Sequence, residues 1–79
     1  MNIAELELGE KAIIESIDES NPNALRLLEY GFTPGQEIEV VSIPIFKDPI
    51  EVTLRGTIIA LRKKDAICIN VLKVVDEKK

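Results

Sequence analysis

Apolar runs in this sequence are short and interrupted so often that repeated strand, helix and parallel-strand units have no room to form. Runs rich in Ile and Val fall at Ala12 to Ile17, Gln36 to Ile43, Ile50 to Arg55, Ile58 to Leu61 and Ile67 to Val71, each bounded by polar residues, Pro or Gly. A parallel pair needs a crossover of roughly a dozen residues or more, whereas antiparallel neighbours can be joined by tight turns. The pattern therefore predicts an all-β domain of about five short antiparallel strands.

The connections support that reading. Asn21 is a candidate helix N-cap followed by Pro22, where a missing N–H is tolerated, and a short helix is predicted to run to about Tyr30. Gly31 stands where a helix C-cap favours positive φ. In Thr33-Pro34-Gly35, Pro and Gly follow in the order of a type II turn. Ile38 and Val40 alternate with Glu37 and Glu39 before Val41 adds a second apolar face, a switch that predicts a bend or bulge. Ile50, Val52 and Leu54 alternate with Glu51, Thr53 and Arg55 until Gly56 interrupts them, as a bulge or tight connection would. Arg62 to Ala66 reads as a charged turn and Lys73 to Lys79 as a tail that frays. A small SH3-like antiparallel barrel with one short helix fits these elements, and closure would remove the exposed edges of a sheet so rich in Ile and Val. The 79 residues are read as one such domain, 1–79, because a chain this short closes one core.

Composition narrows function. The chain has no His and no Trp, so the commonest general base and the best cation-binding aromatic are both missing. Lys and Arg number 10 against 14 Asp and Glu, and the net charge of -4 has the wrong sign for a nucleic-acid binder. One cysteine, Cys68, cannot staple a secreted domain, and neither a signal peptide nor a membrane-spanning run is visible, so the expected location is the cytoplasm without membrane insertion. Glu5, Glu7, Glu10, Glu37 and Glu39 offer hard oxygen ligands, but a tight transition-metal site normally recruits imidazole or thiolate. No metal or cofactor site is assigned. No Gly-rich phosphate loop and no activated nucleophile is present, which predicts a non-catalytic protein.

Two surfaces are candidate partner sites. Pro44, Ile45, Phe46, Lys47, Asp48 and Pro49 form a loop in which two prolines pre-order two apolar side chains between strands. Phe46 either presents itself to a partner or folds back into the core. Leu25, Leu28 and Phe32 form a stripe whose simplest role is core packing, with a groove wall as its second. Arg62, Lys63 and Lys64 make a basic cluster that reads first as a solvated turn.

The block Leu27-Leu28-Glu29-Tyr30-Gly31-Phe32-Thr33-Pro34-Gly35, followed by Asp48-Pro49-Ile50-Glu51-Val52-Thr53-Leu54-Arg55-Gly56 and Ala60-Leu61-Arg62-Lys63-Lys64-Asp65-Ala66, resembles the FeoA family over nearly the whole chain. Tyr30 stands where the family usually carries Leu, and Phe32 replaces a smaller aliphatic. The resemblance implies an SH3-like barrel in the bacterial cytoplasm that regulates FeoB, the GTPase-bearing membrane transporter of ferrous iron. Any GTP hydrolysis would then belong to the partner. The same module resembles the C-terminal domain of diphtheria-toxin-repressor-type metalloregulators, so a regulatory module of a metal-dependent repressor is the alternative. An RNA-binding small barrel is a further one that the acidic charge disfavours. Self-association is left open.

Overall fold

The computed structural model describes residues 1–75. Its strands are β1 (Lys11–Ile17), β2 (Glu37–Ser42), β3 (Ile50–Leu54), β4 (Thr57–Leu61) and β5 (Ile69–Lys73), with helix α1 (Ala24–Tyr30) before β2 and helix α2 (Lys63–Ala66) before β5. A single 3-10 turn over Ile3–Glu5 precedes β1. The strands make one antiparallel sheet in the order β4-β3-β2-β1-β5, which is the SH3-like arrangement.

Local chemistry accounts for the connections. The Gln36 N–H donates to the Thr33 carbonyl at 3.0 Å and Gly35 has φ 92, which completes the expected turn. Arg55 and Gly56, with φ 55 and 81, are the two central residues of a hairpin turn with the twist of its strands, so Arg55 belongs to the turn rather than to β3. Helix α1 ends at Gly31 with φ 116, where the N–H groups of Gly31 and Phe32 reach the carbonyls of Leu28 and Leu27. Its start differs from expectation. Asn23 is the residue before the helix, and the Asn21 Oδ1 accepts the Asn23 N–H at 2.7 Å, so Asn21-Pro22 forms a turn ahead of it.

Alternation gives the core. Ile50, Val52 and Leu54 of β3 are buried while Glu51 and Thr53 are half-buried. Register shifts occur between Val40 and Ser42 against β3 and between Ile14 and Ser16 against β5, and such irregularities bend a sheet. The bent sheet wraps one apolar cluster that draws on all five strands, on Leu27 of α1 and on Ala66 of α2.

The sheet does not close into a barrel. β4 and β5 are its two ends and do not pair with each other. The outer side of β5 is taken up by the start of the chain, through an Asn2 and Asn70 bridge and a Val71 N–H to Met1 carbonyl bond of 2.9 Å. The last connection also departs from expectation. Lys63–Ala66 is helical and Ile67 and Cys68 are a turn, so β5 begins at Ile69. Of the tail expected to fray, Lys73 closes β5 and Val74 donates its N–H to the Lys11 carbonyl at 2.9 Å, while 76–79 lie outside the described residues.

Candidate functional site

Between β2 and β3 the chain turns on itself: the Lys47 N–H donates to the Pro44 carbonyl at 2.8 Å, which places Ile45 and Phe46 at the two central positions of a tight turn. Residues in that position point away from both strands. Ile45 is 91% exposed and Phe46 87%, so Phe46 does not fold back into the core. Full burial of either side chain is worth about 1.5–3 kcal/mol, none of which this conformation recovers. Lys47, at φ 60, carries the chain back, and the Asp48 Oδ1 accepts the Lys63 N–H of α2 at 3.1 Å. Asp48 therefore has an internal duty, while Pro49 is half-buried at the start of β3.

The helix stripe divides. Leu25 is 68% exposed and Leu28 is half-buried, and with Glu19, Asn21, Pro22 and Ala24 they line an open groove of about 390 Å³. Phe32 is corrected to a core residue. The chain reversal at Gly31 carries it beneath the helix, where it is the largest fully buried side chain. It cannot line a groove.

Loop and helix groove do not form one continuous surface; α2, read from the sequence as a charged turn, lies between them. Its Asp65 Oδ1 accepts from Asn21 Nδ2 at 3.1 Å and Asn23 Nδ2 at 3.3 Å, and its first N–H is held by Asp48. Lys64 borders a cleft with Asn21, Pro22, Asn23 and Cys68 on one side, and a cleft with Asp48 and Arg62 on the other. The absence of Gly and Pro from Arg62 to Ala66 was the available signal for this helix.

Some carboxylates elsewhere make local contacts of their own. Glu5 accepts the Asn2 N–H at 2.9 Å, Glu10 accepts the Glu7 N–H at 2.8 Å, and the Glu10 Oε2 meets the Lys73 ammonium at 2.7 Å. The hydrogen bond from Lys73 is the main cause holding the Glu10 carboxyl below its ordinary value, and the same contact raises the Lys73 ammonium. The Ser20 N–H lowers Asp18, with help from the Ser20 hydroxyl. Among the described residues no three His, Cys, Asp or Glu side chains come together as metal ligands. Cys68 sits in the turn after α2, half-buried, with its thiol directed at the Lys64 carbonyl at 3.4 Å.

The FeoA domain family matches residues 1–73. A protein of Porphyromonas gingivalis, the Fe(2+) transport protein A/Fe(2+) transporter FeoB fusion protein, is 32% identical over 71 residues; the match covers 90% of this chain and 8% of that protein. The solution structure of iron(II) transport protein A from Clostridium thermocellum superposes with a TM-score of 0.86 at 35% identity, over 94% of this chain and 46% of that one. A crystal structure of Stenotrophomonas maltophilia FeoA complexed with zinc, described as an SH3 domain protein possibly acting as a ferrous iron transport activating factor, superposes at 0.81 with 33% identity, over 90% and 88%. A manganese-dependent transcriptional repressor shares the fold at a TM-score of 0.83, over 94% of this chain and 41% of that one, but with 19% identity that likeness shows the fold alone.

Proposed function

Since the chain belongs to the FeoA family, which is tied to ferrous iron transport, we propose that it is a non-catalytic accessory protein that binds the cytoplasmic side of the transporter FeoB and regulates it. The observation that carries this reading is the Porphyromonas gingivalis relative, in which a homologous domain and FeoB share one chain. Covalent linkage of this kind holds two modules at a high effective concentration, which is useful where they act on each other. Among the described residues no helix is long and apolar enough to cross a membrane, so in this reading the transporter supplies the membrane attachment.

The Ile45 and Phe46 turn is the contact, with Leu25 and Leu28 as a second patch beyond α2. Two adjacent apolar side chains held out by a pre-ordered turn fit the anchor residues of an interface, which fill a partner's pocket at little entropic loss. Calorimetric titration of this protein into the cytoplasmic GTPase domain of FeoB from the same organism, with and without GTP, tests the reading. Phe46→Ser should weaken binding at least about tenfold while leaving thermal unfolding unchanged. A folded Phe46→Ser variant that binds as well as the parent would remove the loop from the interface, and no binding by the parent would remove the partner.

A further inference from the structure

The sheet's two edges are treated differently. The start of the chain covers β5, whereas nothing among the described residues pairs with the outer side of β4. β4 is joined to β3 by a two-residue turn and pairs with it over Thr57 to Leu61 without a register shift. In that register Thr57, Ile59 and Leu61 exchange ladder hydrogen bonds with β3, so the N–H and C=O of Ile58 and Ala60 point away from the sheet. Natural edge strands are usually blunted by Pro, a bulge or a charged side chain. Thr57-Ile58-Ile59-Ala60-Leu61 has none of these, and Ile58 is 61% exposed beside the free groups.

We infer that the outer edge of β4 is a strand-pairing site for an extended peptide segment that is apolar or β-branched in its middle and acidic at its amino end. β4 runs directly into the exposed Arg62, Lys63 and Lys64, and an antiparallel partner brings its amino end alongside that cluster. The same charges disfavour a second copy of this chain. Antiparallel β4 against β4 sets the exposed Arg55 at each turn towards the other copy's Arg62 to Lys64, cation against cation at both ends. The site borders the loop that carries Ile45 and Phe46, whose Asp48 shares a cleft with Arg62 and Lys64, but it does not depend on the identity of the partner proposed there.

The probe is a synthetic peptide, Glu-Glu-Thr-Val-Thr-Val-Thr, titrated into the full chain with fluorescence anisotropy for affinity and amide hydrogen exchange for location. Binding should slow exchange at Ile58 and Ala60, and a peptide with Lys-Lys at the amino end, or with Glu-Glu moved to the carboxyl end, should bind about tenfold more weakly. Ala60→Pro deletes one outward N–H without touching the β3 ladder and should weaken binding about tenfold. Ile58→Glu keeps every backbone bond but removes the apolar neighbour of the peptide's middle, and should weaken binding of the acidic and basic peptides alike. Equal affinity for the acidic and basic peptides, absence of binding, or protection confined to other residues would overturn the inference. So would a dimer of the free protein, seen by sedimentation, that Ala60→Pro dissolves.

Discussion

Gly31 shows how one position serves two demands. Its φ of 116 is a conformation that L side chains rarely adopt, and a Cβ there would stand 3.3 Å from the Leu54 Cδ2. Gly31→Ala should lower stability by about 1–2 kcal/mol or more in urea unfolding, and by more than Gly35→Ala, because a Cβ at Gly35 has nothing within 4 Å and adds only backbone strain. Phe32, one residue on, is wholly buried, and Phe32→Ala should cost about 3–5 kcal/mol by the same measurement, enough to leave a domain of this size largely unfolded. Titration supplies a test of another kind. Because Lys73 lowers the Glu10 carboxyl in the folded state, the pair's contribution on the acid side is fully present above the ordinary value of 4.5 and is lost as pH falls through the lowered one. Glu10→Gln should therefore reduce the melting temperature at neutral pH, with the gap to the parent closing below about pH 4.5 and shrinking in high salt.

At the scale of elements, α2 is held by side chains rather than by its own length. Four residues are too few to be helical alone, and Asp48, Asn21 and Asn23 supply the missing partners from two other segments. Asp65→Ala removes the acceptor shared by both Asn side chains. It should cost about 1 kcal/mol and speed amide exchange across Lys63 to Ala66 before it affects the central strands. These bonds span more than forty residues of sequence, and neighbouring residues alone spell only a charged turn. Where the controlling chemistry is local the reading was accurate: the Thr33-Pro34-Gly35 turn, the Gly31 cap, the irregularity after Val40 and the alternation of β3 all follow from neighbours in sequence. The exposure of Ile45 and Phe46 lay between these cases. Two prolines announce a loop, but only the fold shows that its apolar residues occupy the turn's centre and have no core to fall back on.

For the whole molecule, strand number, direction and the apolar cluster were legible, and closure was not. Alternation says which face of a strand is buried and is silent about which strand lies at an edge, so a sheet open at β4 and a closed barrel are written alike. The helix stripe was legible in part for the same reason: spacing puts Leu25, Leu28 and Phe32 near one face, and the chain reversal at Gly31 then separates Phe32 from the other two. The bond between Val71 and Met1 has a further consequence for how the protein comes into being. Met1 and Asn2 pair with β5, far along the sequence, and β1 has the same strand on one of its two sides. Contacts of such long sequence separation slow folding. A nascent chain stopped before Ile69 should remain open to protease, and the domain should become resistant only once β5 has emerged from the exit tunnel.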